Sequence, residues 1–79
     1  MELTRKEAIR LISEELLRAE YKHPTYPDNI FEKVAIVNEE AGEVTKACLH
    51  HVHEGGSIED VKKELIQTAA SCIRMLIHL

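Results

Sequence analysis

The chain has 79 residues, a formal net charge of −4, two cysteines and no tryptophan. This length admits one domain, and a chain this small buries only about 60% of its unfolded surface, so a metal, a disulfide or a partner has to support it. The acidic balance excludes wrapping a nucleic-acid polymer, which needs a basic face. The charged start "MELTRKEAIR" does not read as a signal peptide, and no run of about 18 apolar residues reads as a membrane span. The expectation is a cytoplasmic protein with no membrane partner. Cys48 and Cys72 fall on apolar helical positions and read as buried free thiols rather than a disulfide framework.

Three helices read off in chain order, at about 4–22, 29–54 and 57–78, with no strand pattern. Thr4 and Glu7 have capping-box spacing at the start of the first helix. Ile9, Ile12, Leu16 and Ala19 follow at three- and four-residue steps, one apolar stripe. Pro24 stops this helix, and "KHPTYPDN" forms a loop. Its ordinary reading is a connector; its functional reading is a wall for a nucleobase, with His23 or Tyr26 stacking on it.

The second helix starts at Asp28 or Asn29, and Asn29 with Glu32 again has capping-box spacing. Its stripe is Ile30, Val34, Val37, Ala41, Val44, Cys48 and Val52, alternating steps of four and three as in left-handed helix packing. Gly55 and Gly56 end it. Ser57, with Asp60 as its capping partner, opens the third helix. There, Val61, Leu65, Ala69, Cys72 and Leu76 form one stripe, widened by Ile66, Ala70, Ile73 and Ile77 on one side and by Met75 and Leu79 on the other. Apolar side chains thus cover more than half of this helix. Two short helices hardly cover so much, so the expected fold is all-α: a three-helix chain whose helices two and three form a hairpin that packs into an oligomeric helical bundle, a homodimer or homotetramer.

The second helix carries Glu39, Glu40 and Glu43 within five residues, with Gly42 among them. Like charges at this spacing repel, and a glycine inside a helix costs about 1 kcal/mol against alanine. Glu40 shares a row with Ile36 and Val44, so it sits at the edge of the buried stripe; Glu43 points to the same side, and Glu39 lies further round. On the third helix Glu64 occupies a corresponding edge, and Gln67 follows one turn later. In an antiparallel hairpin Glu40, Glu43, Glu64 and Gln67 face a common cleft, and hard oxygen donors in that number suit Mg²⁺ or Mn²⁺. The ordinary reading is a solvated acidic face. Gly42 permits a close approach of helices or ligand, or is a tolerated weak spot.

The stretch "EEAGEVTKA" followed by "KKELIQTAA" resembles the MazG-like all-α nucleoside triphosphate pyrophosphohydrolases, in which ExxE on one helix is followed, after a loop, by ExxD on the next. The similarity runs from about Tyr26 onward. It implies one MazG-like domain over residues 1–79 that binds Mg²⁺ through Glu40, Glu43, Glu64 and position 67 and cleaves a nucleoside triphosphate to the monophosphate and pyrophosphate, with Glu39 or Glu40 taking the proton of the attacking water. Position 67 departs from the pattern: a glutamine carbonyl reaches a metal but brings no charge and is no base. Either the glutamine is compatible with activity, or the chain is a relative that has lost it and serves as a non-catalytic helical oligomer that binds a protein or nucleotide.

Lys46, Lys63 and Arg74 are candidate phosphate contacts, with surface pairing to nearby glutamates as the ordinary reading. His50, His51 and His53 form a cluster that a second metal can use, although imidazoles at a helix end also suit the helix dipole.

Overall fold

The computed structural model describes residues 2–79. The protein is all-helical: α1 spans Arg5–Lys22, α2 Ile30–Glu54 and α3 Ile58–Ile77. Among the described residues no helix is long and apolar enough to cross a membrane.

The helix starts follow from side-chain capping. Thr4 Oγ1 accepts from Glu7 N at 3.1 Å, and the Glu7 carboxylate accepts from Thr4 N at 3.3 Å, a complete capping box. Asn29 Oδ1 accepts from Phe31 N and Glu32 N, and Ser57 Oγ accepts from Glu59 N, so each following helix also begins with its free N–H groups partly satisfied. The turn between α2 and α3 uses its two glycines differently, and only the first has a backbone conformation that favours glycine. Gly55 has φ +72°, a left-handed conformation that a Cβ disfavours. At Gly56 a Cβ would lie 2.1 Å from the His50 ring. Gly55→Ala is expected to lower stability by about 1 kcal/mol, read as a drop in the thermal midpoint; a drop no larger than that of Ala35→Gly, a propensity loss at an exposed position of α2, would show that the turn does not depend on the left-handed residue.

α3 is the central helix. It packs against α2 on one side and α1 on the other, while α1 and α2 stand apart among the described residues. Two buried cations tie the ends together. Lys33 Nζ, near the start of α2, donates to His78 O at 2.6 Å, capping the end of α3 and fixing α2 and α3 as an antiparallel hairpin. Arg74 donates to Ala19 O at 3.4 Å and to His23 O, capping the end of α1, so α1 and α3 run the same way. A cation at a helix C-terminus meets the negative end of the helix dipole.

The packing row of α2 differs from the expected stripe. Lys33, Ile36, Val37, Glu40, Val44 and Ala47 are the buried or half-buried positions, whereas Ile30, Val34, Cys48 and Val52 are exposed. The helix is rotated towards the Ile36–Glu40–Val44 row, with Lys33 reaching the end of α3. On α3, Val61 and Ala70 are the buried apolar residues, and Leu65, Cys72 and Leu76 face outward. The expectation that Cys48 and Cys72 are buried is therefore corrected: both thiols are exposed in the single chain.

Candidate functional site

A cleft of about 410 Å³ opens between α1 and α2, with α3 as its floor. This volume is in the range of small-molecule sites. Five of the residues singled out in the sequence line it: His23 and Tyr26 from the loop, Glu40 from α2, and Gln67 and Arg74 from α3. They meet because the loop after α1 folds back over α3 and is held there by Arg74.

Glu40 is half-buried on the cleft wall. Burial, and then the charges of Glu64, Glu39, Glu43 and Glu15, push its carboxyl above the ordinary range. None of the ion pairs among the described residues includes Glu39, Glu40, Glu43 or Glu64. Glu40 is thus a desolvated carboxylate among like charges without a cationic partner. Glu64 is half-buried on the facing side of α3, close enough for its charge to act on Glu40. Glu43 is exposed, one step round α2 from the row that meets α3, and Glu39 is exposed further round. In chemistry the set fits a hard divalent cation: oxygen donors whose repulsion a cation relieves. In position it is open, since among the described residues no three His, Cys, Asp or Glu side chains stand close enough together to hold a metal. Gly42 meets nothing within 4 Å, so it serves no close approach inside the chain.

The candidate phosphate contacts do not gather at one point. Lys46 is exposed outside the cleft. Lys63 lines a second groove, of about 830 Å³, between α1 and the first half of α3. Arg74 is only 8% exposed and is spent on backbone carbonyls: besides Ala19 and His23, it donates to Thr25 O at 3.4 Å, and its guanidinium sits 4.9 Å from the centre of the Tyr26 ring. Tyr26 in turn stacks on His78, with ring centres 4.5 Å apart. Arg74 and Tyr26 therefore shape the cleft wall, and a base that stacked on Tyr26 would compete with His78.

Glu15 and Arg18 were not singled out in the sequence, yet both line the cleft and the neighbouring groove, as does Gln67. They form a forked ion pair, with Arg18 Nη2 2.6 Å and Nε 3.0 Å from the Glu15 oxygens, and the Glu15 side chain is 17% exposed. Their signal was the position of Glu15, three residues after Ile12 and four before Ala19, at the edge of the α1 stripe.

The histidine cluster behaves as a helix end. His51 Nδ1 donates to Gly56 O at 2.6 Å, and His50 Nε2 lies 3.4 Å from Glu54.

The site is therefore a cleft on the concave side of a three-helix layer, lined by the carboxylates of Glu15 and Glu40, by Arg18 and Arg74 and by the Gln67 amide, with Glu39, Glu43 and Glu64 outside it. Compared with protein-family models, curated proteins and solved structures, the chain matches none.

Proposed function

We propose that the protein is a divalent-metal-dependent nucleotide pyrophosphohydrolase of the MazG-like type, a single cytoplasmic domain working as a homo-oligomer. The observation that carries this reading is Glu40, a half-buried carboxylate beside four like charges, on the wall of a nucleotide-sized cleft and with Gln67 also lining it. Glu40, Glu43, Glu64 and Gln67 would hold Mg²⁺ or Mn²⁺ after their side chains turn inward. When bound, the metal neutralises phosphate charge and acidifies a water.

The chain's own groups divide the remaining work. Water adds to the α-phosphorus, the bond to the bridging oxygen of the β-phosphate breaks, and pyrophosphate leaves. Glu40, whose pKa is raised, is suited to take the water's proton near neutral pH, with Glu39 as the alternative base. His23 and Tyr26 border the end of the cleft that takes the base. The adjoining groove, with Lys63 and Arg18 on its walls, is where the phosphates extend.

The test is direct: incubation with a panel of NTPs and dNTPs plus Mg²⁺ or Mn²⁺, with pyrophosphate and monophosphate quantified. Metal-dependent release of both is the expected result. No cleavage of any nucleotide at high protein concentration sinks the enzyme reading and leaves the second one, a non-catalytic helical oligomer, which the uncharged Gln67 and the separation of the carboxylates favour.

A further inference from the structure

Some of the apolar residues that α2 and α3 leave outside share one face; Phe31, Leu49, Ile73 and Ile77, also exposed, lie beside it. At about 100° per residue, Val34, Cys48 and Val52 share one side of α2, and Leu65, Cys72 and Leu76 share one side of α3. All six are exposed. The two helices are antiparallel, so their rotations mirror each other and both stripes emerge on the same, convex side of the hairpin. Gln67 and Arg74, which line the cleft, lie on the opposite side of α3. Over residues 65–79 the only charged or imidazole side chains are Arg74 and His78. Both are taken up elsewhere, Arg74 on the end of α1 and His78 on Tyr26, so this half of the α3 surface carries no charge.

The total surface of the chain is larger than that of a compact monomer of its mass. The chain exposes 5995 Å². A compact monomer of 9.0 kDa exposes about 4,900 Å². The surplus of about 1,100 Å² is what one subunit gives up in a stable dimer, where about 800 Å² per partner is standard and obligate pairs bury more. The radius of gyration agrees: 13.4 Å against about 12 Å for a compact chain of this length. Among the described residues only Val61 and Ala70 are buried apolar residues, so one copy is a single layer of helices with a very small core.

We infer that a second copy of this chain covers the convex face of the α2–α3 hairpin in a two-fold dimer, leaving the cleft of each copy open. A face needed for folding must be covered whenever the chain is folded, and an uncharged apolar face is complementary to itself without any matching charge pattern. The inference names the interface of the oligomer proposed above and does not depend on nucleotide cleavage.

The two thiols report on it. Both lie on the face, so the assembled protein should protect Cys48 and Cys72 from an aromatic disulfide reagent by about 100-fold relative to the urea-unfolded chain. Light scattering should give a particle of about 18 kDa, or of twice that if dimers pair further, from chains of 9.0 kDa. Leu76→Glu should dissociate or unfold the particle. A helical 9 kDa species overturns the inference. So does a larger particle in which either thiol reacts as fast as in urea, since that assembly uses another face, and so does a Leu76→Glu protein of unchanged size and stability. The thiol measurement needs only the wild-type chain, so misfolding of the variant does not obscure the result. Activity without thiol protection would remove the interface and keep the hydrolase; protection without activity would do the reverse.

Discussion

Replacing Arg74 with methionine is expected to lower folding stability by about 3 kcal/mol, the largest loss of any single side chain outside the apolar face. Arg74 is 8% exposed, and its guanidinium serves the carbonyls of Ala19, His23 and Thr25 and rests on the Tyr26 ring. A hydrogen bond from a charged donor contributes about 1.5–3 kcal/mol net, and a cation over an aromatic ring about 1 kcal/mol more. Methionine keeps most of the stem's apolar packing, so the variant isolates the guanidinium. Arg74→Lys should recover less than half, because one ammonium cannot serve three separated carbonyls. Urea unfolding followed by far-ultraviolet circular dichroism gives the answer. The variants must be compared at one protein concentration, since the midpoint of an oligomer depends on it. A loss below about 1 kcal/mol in Arg74→Met would mean that the end of α1 and the following loop do not depend on this clamp.

Arg74 also shows where the sequence was readable. The local rules performed well in part: Thr4, Asn29 (rather than Asp28) and Ser57 cap their helices and Gly55 ends α2 in the left-handed conformation, but of the three expected capping boxes the one at Thr4 and Glu7 is complete, and Ser57 accepts from Glu59 rather than pairing with Asp60. These effects act within four residues and need no knowledge of the rest of the chain. The all-α class and the α2–α3 hairpin followed from periodicity and a short glycine turn. The rotation of α2 about its axis did not. Counting apolar residues favours the Val34–Ala41–Cys48 stripe, whereas the packed row contains Lys33 and Glu40. A lysine with a long apolar stem that ends on a helix carbonyl outweighs a valine in fixing this rotation, and its partner His78 lies 45 residues away. The destination of the Arg74 guanidinium was hidden for the same reason. The valine stripe keeps its meaning on the outer surface, where it supplies the proposed interface.

The candidate site was readable as a constellation but not as a geometry. Glu40 and Gln67 share a cleft with His23 and Tyr26. The cleft owes its far wall to α1, through Glu15 and Arg18, and nothing in the spacing of α2 and α3 specifies which face of α1 arrives there. Glu15 brings a carboxylate from the α1 wall to the cleft whose floor carries the Gln67 amide. Its bond to Arg18 already neutralises much of that charge, so Glu15 strengthens the acidic field at Glu40 without replacing a metal ligand outright.

Glu40→Gln is expected to move activity and stability in opposite directions. If Glu40 holds the metal and takes the proton, the variant loses at least about 100-fold in kcat/KM, the usual scale for a positioned acid–base group. The same substitution should raise the melting temperature of the metal-free protein. In the native state the ionised carboxylate is penalised by burial and by Glu64, Glu39, Glu43 and Glu15; each like-charge contact costs about 0.2–0.5 kcal/mol, and an amide removes all four. Because the native pKa lies above the ordinary value of 4.5, the penalty is absent at pH well below 4.5, grows as pH rises from there through the native pKa and is fully present above it. The variant's advantage should therefore vanish in acid, where the wild-type carboxyl is protonated as well. Magnesium should reverse the order: at about 100 times its dissociation constant a ligand adds about 2.7 kcal/mol to the wild type and little to the variant. Gln67→Asp is the converse case, less stable without metal and more responsive to it, because it adds a fifth like charge near the same carboxylate. If Glu40→Gln melts below the wild type at pH 7 without metal, its carboxylate is satisfied in a way the like charges around it do not explain, and the case for a cation at this cleft is lost.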